Sequence, residues 1–119
     1  MNELKHYAIL EYSKETYQVT FEGQLVAESN ATIQLIESAH GKTYPPAIYF
    51  PPKLIESLEV KKNELTTHCP IKGDASYWSY KSATNGIWSY ENPLEMVKAI
   101  KNYFGFDQSK GFKIALKNN

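Results

Sequence analysis

The amino-acid sequence predicts a mainly β fold, and three observations carry this prediction. Short runs of alternating apolar and polar residues recur along the chain. Glycine, proline and asparagine turn signals separate these runs at short intervals. The nine tyrosines suit a half-exposed sheet face or a pocket, because each pairs an apolar ring with a polar tip. A chain of 119 residues has room for one core, so a single domain, 1–119, is expected.

The first half of the chain predicts four strands and a short helix. Each strand alternates between apolar and polar residues or ends at a turn signal, and Pro52 suits the first position of the helix. On the strand after the hairpin, Ile33, Leu35 and Glu37 share one face. The predicted elements are the hairpin 17–28, the strands 31–38 and 47–51, and the helix 52–58.

The second half predicts a further hairpin with a strand on each side of it. The dipeptide Asn85-Gly86 is the strongest short hairpin signal in the chain and places the turn at 84–86. The predicted strands are 65–70, 75–83, 86–90 and 111–117.

One longer helix is predicted between residues 92 and 105. Asn92 is a suitable N-cap, Pro93 fits the first helical position, and Gly105 fits the left-handed position after the last turn. Four apolar residues at spacings of three and four form a face that we expect in the core: Leu94, Val97, Ile100 and Phe104.

Charge and composition restrict the classes of function. Thirteen basic and thirteen acidic residues cancel, and every basic residue is lysine. Without arginine, bidentate recognition of phosphate or guanine is absent, so nucleic acid is not an expected partner. The chain has no apolar run suited to a signal peptide or a membrane span, and its single Cys69 cannot form an internal disulfide. We therefore expect a cytoplasmic protein without membrane association; its oligomeric state is left open.

Three stretches resemble a bacterial family known as domain of unknown function 427. They are YPPAIYFPP, THCPIKGDASYWSY and NGIWSYENPLEMVKAIKNYFGF, in the order typical of the family, and the pattern Cys-Pro-x-Lys-Gly-x-Ala-x-Tyr is the most specific part. The resemblance covers roughly residues 17–106. It implies a β-tent fold, similar to Mss4-like proteins, in which two antiparallel sheets lean together. It implies no secure activity.

The resemblance also raises the question of a metal. Many β-tent proteins hold a structural zinc ion with two Cys-x-x-Cys pairs, whereas this chain has one cysteine and three scattered histidines. We therefore expect no zinc and no cofactor. The label nucleotidyltransferase, sometimes given to the family, is disfavoured, because the chain lacks an Asp-x-Asp pair, a glycine-rich phosphate loop and arginine.

Two charged residues and the cysteine are the polar candidates for a site. Lys72 follows Pro70 in a tight turn, and Glu37 ends an otherwise apolar strand, so we expect the two to pair. A buried pair of this kind serves either acid-base chemistry or the attachment of two strands. Cys69 is a candidate nucleophile or a packing residue, but strand alternation points the adjacent His68 to the opposite face.

Aromatic residues are the candidates for the walls of a cleft. Tyr77 lies on one face of its strand, Trp88 and Tyr90 share a face on the next strand, and Tyr49 comes from the short strand before the helix. Cross-strand aromatic pairs stabilise a sheet by about 0.2 to 1 kcal/mol each, which is one sufficient reason for their presence. The other is an aromatic-walled pocket for a flat small molecule.

Three functions stay open on the sequence. The preferred one is binding of a small polar or flat organic ligand in a cleft between the sheets, with Lys72 and Glu37 as polar anchors. The second is an enzyme that uses Glu37 and Lys72 for proton transfer, or Cys69 as a nucleophile. The third is a protein-interaction module, which would present its aromatic residues as a flat exposed patch.

Overall fold

The computed structural model describes residues 5–117 and confirms a mainly β fold. The predicted domain 1–119 also includes residues 1–4 and 118–119, which lie outside the described part. Within residues 5–117 the strands are β1 (Tyr7–Tyr12), β2 (Tyr17–Phe21), β3 (Gln24–Ser29), β4 (Ile33–Ala39), β5 (Lys42–Thr43), β6 (Ala47–Tyr49), β7 (Lys61–Cys69), β8 (Gly73–Tyr80), β9 (Ala83–Tyr90), β10 (Phe104–Phe106) and β11 (Phe112–Leu116).

Helical structure is short throughout the described residues. The helix α1 (Pro52–Ile55) starts at Pro52, as predicted, and two 3₁₀ segments cover Glu95–Ile100 and Gln108–Lys110. None of these helices has the length and apolar character needed to cross a membrane.

The strands form three antiparallel sheets. The first sheet has β4 in its middle, with β1 on one side and β5 and β6 on the other. The central sheet has the order β10-β9-β8-β7, and the third sheet has the order β11-β2-β3. The predicted hairpin 17–28 forms β2 and β3, with a turn at Glu22-Gly23.

The central sheet contributes to two separate hydrophobic clusters. The cluster shared with the third sheet, called here the sealed core, contains Val19, Phe21, Ala27, Phe50, Tyr80, Ala83, Ile87, Phe104, Phe106 and Phe112. The cluster shared with the first sheet contains Ile33, Leu35, Tyr49, Ala75, Tyr90, Val97 and Ile100. Tyr49 and Phe50 are neighbours in the chain, yet each belongs to a different cluster, so the end of β6 joins the two.

The last hairpin turns earlier than predicted. Tyr80 pairs with Ala83, so the turn is Lys81-Ser82, and the predicted turn residues Asn85-Gly86 lie inside β9. The register shifts here, and Asn85 takes a φ of 54°, which asparagine tolerates better than most residues. The Ser79 hydroxyl accepts a hydrogen bond of 3.0 Å from the backbone amide of Asn85. The Asn-Gly signal was therefore wrong as a hairpin turn and marks a bulge in the strand.

The predicted helix 92–105 forms only in part. The 3₁₀ segment Glu95–Ile100 is interrupted at Val97, whose φ of −125° and ψ of 28° are not helical. The chain then extends into β10, because pairing with β9 buries Phe104 and Phe106. Val97, Ile100 and Phe104 are buried as expected, but Leu94 is 44% exposed and the prediction that it lies in the core was wrong.

Gly105 has a different role from the predicted helix cap. It lies opposite Trp88 in the pairing of β10 with β9, and a Cβ at this position would overlap the Trp88 ring. Glycine is needed here because the indole lies directly against the backbone of β10. The position of Trp88 therefore depends on the absence of a side chain at residue 105.

Candidate functional site

A cleft of about 490 Å³ lies between the first and central sheets, reaches the start of the 3₁₀ segment Gln108–Lys110 and is also bordered by Ile114 of the third sheet. Five of the six predicted ligand-binding residues line this cleft, namely Tyr49, Lys72, Tyr77, Trp88 and Tyr90. The remaining lining residues are Pro45, Pro46, Ala47, Ile48, Phe106, Asp107, Gln108 and Ile114. Glu37, the sixth predicted residue, does not line the cleft but contacts Lys72.

Strand register explains why these aromatic residues meet. Tyr77 lies directly opposite Trp88 in the pairing of β8 with β9, and Tyr90 lies opposite Ala75. Directly opposed residues project from the same face of a sheet, so all of these side chains point towards the first sheet. Trp78 and Tyr80 alternate with them and pack in or against the sealed core.

Tyr49 closes the floor of the cleft beneath Trp88. It is fully buried, and its hydroxyl accepts a hydrogen bond of 3.0 Å from the indole Nε1 of Trp88. The two rings meet edge to face, with centroids 6.0 Å apart. Burial raises the pKa of Tyr49 well above its usual range, and burial likewise raises the pKa of Tyr90. Both phenols therefore stay neutral and keep a proton to donate.

Lys72 and Glu37 form the predicted ion pair. The Lys72 Nζ donates to Glu37 Oε1 at 3.0 Å, and the side chains are 15% and 22% exposed. The same ammonium lies 5.7 Å from the centroid of the Tyr90 ring, within the range of a cation–π contact. Lys72 thus connects the aromatic wall of the cleft to the end of β4.

The pKa values of this pair are shifted in the directions that keep both side chains charged at neutral pH. Burial opposes the charge on Lys72, but the hydrogen bond to Glu37 and the negative charge of that carboxylate outweigh it and raise the pKa. Burial also opposes the charge on Glu37, but hydrogen bonds from His6 and Lys72 outweigh it and lower the pKa. Each partner therefore stays charged across the neutral range.

The backbone around Gly73 fixes the direction of Lys72. Gly73 has a φ of 101°, which favours glycine, and a Cβ there would come within 3.3 Å of the Asn92 carbonyl oxygen. The Lys72 carbonyl accepts a hydrogen bond of 3.1 Å from the Leu94 amide. Lys72 and Gly73, the Lys-Gly pair of the pattern Cys-Pro-x-Lys-Gly-x-Ala-x-Tyr, thus form the turn from which the ammonium reaches the cleft.

His6 completes this cluster and was missed by the sequence analysis. Its Nε2 lies 2.6 Å from Glu37 Oε2. His6 directly precedes β1, which pairs along its whole length with β4 and places Ala8 opposite Glu37. The sequence gave only a weak signal for this strand. The exposed Tyr7 and the half-buried Ala8 are both apolar, so β1 lacks the alternation of apolar and polar residues that marks a strand.

Cys69 lies at the end of β7 as a half-buried free thiol. Its Sγ, a ring nitrogen of His6 and a carboxylate oxygen of Glu37 all lie within 4.8 Å of one another. His68 points away, as strand alternation predicted, and its Nδ1 lies 2.8 Å from Asp74 Oδ1 on an exposed face. The histidine beside the thiol is therefore His6, which is 63 positions earlier in the chain, and not its sequence neighbour.

Comparison with known proteins agrees with the predicted resemblance. The sequence profile of the family described as "Domain of unknown function (DUF427)" matches residues 9–115, which is most of the chain. No curated protein matches the chain. The chain belongs to this family.

Proposed function

We propose that this member of the DUF427 family binds a flat organic anion in the cleft between the first and central sheets. The observation that carries the proposal is the convergence of Lys72 with Tyr77, Trp88 and Tyr90 around one cleft of about 490 Å³. This volume falls in the range of about 300 to 1,000 Å³ that small-molecule sites occupy. The aromatic rings offer apolar area to a flat ligand, and the ammonium offers its charge to an acidic group.

The charges along the cleft support a ligand with its acidic group at one end. Lys72 contacts the Tyr90 ring, whereas the Asp107 amide donates to the carbonyl of Gly86, four residues earlier on β9. Lys72 thus lies beside the last residue of β9, whereas the backbone of Asp107 pairs with the middle of the same strand. The Asp107 carboxylate already accepts hydrogen bonds from the amide and the hydroxyl of Ser109. The ammonium, with three donor protons and one carboxylate partner, has more capacity left for a ligand.

The pair Lys72 and Glu37 is better suited to anchoring than to proton transfer. General acid-base catalysis works best when the pKa lies near the working pH, and both pKa values move away from neutrality. Cys69, the other catalytic candidate, is not among the residues that line the cleft. An enzyme using these groups is therefore the second hypothesis.

An interaction module is the third hypothesis. The four aromatic residues of the cleft are buried or half-buried, so they do not form a flat exposed patch. A partner surface would instead use residues such as Tyr7 and Ile9, which share one face of β1 and are exposed by 41% and 52%.

The test compares acids with their neutral amides by calorimetry and thermal shift. The probes are nicotinate against nicotinamide and benzoate against benzamide. We expect at least one acid to bind about tenfold more tightly than its neutral partner, because only the acid gains a charge-assisted hydrogen bond from Lys72. Lys72→Met should remove this preference, and Tyr77→Ala should weaken the acid and the amide by similar factors.

Lys62→Met is the matched control for the loss of a lysine. Lys62 also pairs with a glutamate, Glu91 at 3.0 Å, and lies 5.5 Å from an aromatic centroid, that of Trp78, away from the cleft. This variant should keep the preference of the wild type. The proposal fails if no acid binds, if acid and amide bind equally, or if Lys72→Met keeps the preference.

Two finer expectations belong to the same proposal. We infer that the arrangement of the sheets is a β-tent, since the antiparallel sheets and the cleft between two of them are compatible with that architecture. We also infer that the protein acts in the cytoplasm, where a free thiol such as Cys69 is kept reduced.

A further inference from the structure

We propose that His6, Glu37 and Cys69 form a binding site for Zn²⁺ or a similar borderline transition-metal ion. The site lies beside the cleft, on the far side of Lys72, and the inference does not depend on the ligand proposed above. The proposal departs from the expectation of no zinc, which rested on the lack of Cys-x-x-Cys pairs. The three residues lie far apart in the chain, and the sequence pattern does not bring them together.

The geometry is close to that of a metal centre. The three potential ligand atoms lie within 4.8 Å of one another, and His6 Nε2 is 2.6 Å from Glu37 Oε2. Zinc bonds of about 2.0 to 2.3 Å to nitrogen, oxygen and sulfur place tetrahedral ligands about 3.3 to 3.6 Å apart. Adjustments of about 1 Å are therefore sufficient, and side-chain rotations of three residues with intermediate burial can supply them.

The ligand chemistry selects the class of ion. One thiolate, one imidazole and one carboxylate are all ligands of Zn²⁺, whereas Mg²⁺ and Ca²⁺ prefer oxygen ligands alone. Three protein ligands leave a fourth position for water or another small ligand, which is the composition of an open site and not of a structural one.

Lys72 supports the site and does not occupy it. Its Nζ contacts Glu37 Oε1, while the oxygen that faces His6 is Oε2, so the carboxylate can hold the ion with one oxygen and the ammonium with the other. Hydrogen-bonded partners of this kind orient a ligand and are a regular part of metal centres. The thiolate and the carboxylate supply two negative charges against the two positive charges of the ion and the one of Lys72, so the occupied site keeps a net charge of +1.

Binding exchanges protons but involves no redox step. The Cys69 thiol releases its proton to solvent. In the metal-free protein His6 Nε2 carries the proton of its hydrogen bond to Glu37, and on binding this proton moves through solvent to Nδ1, which leaves Nε2 free to bind the ion. The hydrogen bond between His6 and Glu37 is replaced by one bond from each residue to the ion. Because the ligands come from the segment before β1, from β4 and from β7, the ion would join the first sheet to the central sheet.

The test titrates the purified, reduced and chelator-treated protein with Co²⁺, followed by absorption. We expect one equivalent to bind with a thiolate-to-cobalt charge-transfer band and the strong visible bands of tetrahedral cobalt. Zn²⁺ should displace the cobalt, and Mg²⁺ should not. Cys69→Ser should abolish the charge-transfer band, and His6→Gln and Glu37→Gln should each weaken binding about tenfold or more.

His68→Gln is the matched control. His68 is adjacent to Cys69 in sequence and has an acidic partner, Asp74, but lies on the other face of β7. This variant should bind cobalt as the wild type does. A second measurement on the wild type avoids folding effects of the variants: Zn²⁺ should slow the reaction of Cys69 with a thiol reagent at least tenfold. The absence of a charge-transfer band in the wild type, its persistence in Cys69→Ser, or a thiol reactivity unaffected by Zn²⁺ would overturn the proposal.

Discussion

The two faces of the central sheet use aromatic residues in different ways. On the face towards the third sheet, aromatic rings pack edge to face at centroid distances such as 5.4 Å for Phe21 with Tyr80 and 5.4 Å for Phe50 with Phe106. On the face towards the first sheet, the Tyr49–Trp88 pair is 6.0 Å apart, and it is joined by a hydrogen bond. One face is a closed core and the other surrounds a cleft.

The residue types of the two faces follow the same division. All five phenylalanines of the chain belong to the sealed core, and one of them, Phe106, also borders the cleft. The four predicted aromatic residues of the cleft are tyrosine or tryptophan, each with a polar atom on its ring: Tyr49, Tyr77, Trp88 and Tyr90. A phenyl ring needs no hydrogen-bond partner and tolerates complete burial, whereas a phenol or an indole needs one. The number of aromatic residues therefore does not indicate a site by itself. Aromatic residues that carry a polar atom, tyrosine and tryptophan, are the more informative ones.

The largest expected effect tests whether the sealed core carries the stability. Phe50→Ala should lower the free energy of unfolding by about 3 to 5 kcal/mol, because it opens a cavity at a residue with no exposed surface. Tyr77→Ala, the aromatic truncation on the cleft face, should cost about 1 to 2 kcal/mol, since Tyr77 is only half-buried. Urea unfolding followed by circular dichroism measures both. Equal losses would mean that the two faces do not differ in this way.

An intermediate effect is expected where the cleft depends on a missing side chain. Gly105→Ala should cost about 1 to 3 kcal/mol, because the added methyl group overlaps the Trp88 ring. It should also change the fluorescence of Trp88 in a Trp78→Phe background. Gly23→Ala is the control: it has no atom within 4 Å but a φ of 82°, so it should cost about 1 to 2 kcal/mol of backbone strain and leave the fluorescence unchanged. An unchanged Trp88 signal in Gly105→Ala would contradict the described contact.

The smallest expected effect compares the two lysine–glutamate pairs. Lys72→Met should cost about 1 to 2 kcal/mol, because it removes a charged hydrogen bond from the partly buried Glu37. Lys62→Met should cost about 0 to 1 kcal/mol, since Lys62 and Glu91 are 52% and 40% exposed and water screens the pair. Thermal unfolding at low and high salt measures both losses. The loss in Lys62→Met should shrink more at high salt, because its ion pair is exposed to the solvent. If Lys62→Met lowered the free energy of unfolding more than Lys72→Met, the pair of Lys62 with Glu91 would be the more stabilising one, contrary to this prediction.

The cleft was more predictable than the elements that frame it, for a physical reason. Tyr77, Trp88 and Tyr90 lie on consecutive strands, where the alternation of side chains is a local property. The pairing of Lys72 with Glu37 also followed from the ends of two strands. His6 was not predictable, because its contact with Glu37 depends on the pairing of β1 with β4 across 31 residues.

The two mistaken elements show where local preference loses to burial. The spacing of Val97, Ile100 and Phe104 is helical, but β10 forms instead because β9 offers pairing and burial for Phe104 and Phe106. Asn85-Gly86 favours a turn, yet the contacts of the central sheet place it within β9. In both cases the local sequence pattern was present, but contacts between residues distant in sequence determined which structure formed.

The step from Tyr49 to Phe50 has a mechanical consequence. Phe50 exchanges two backbone hydrogen bonds with Phe104, of 2.8 and 2.9 Å, so the residue after the cleft floor is fastened to the edge of the central sheet. A backbone displacement at Tyr49 therefore also displaces Phe50, a residue of the sealed core. The floor of the cleft and the sealed core are thus adjacent in the chain, separated by a single peptide bond.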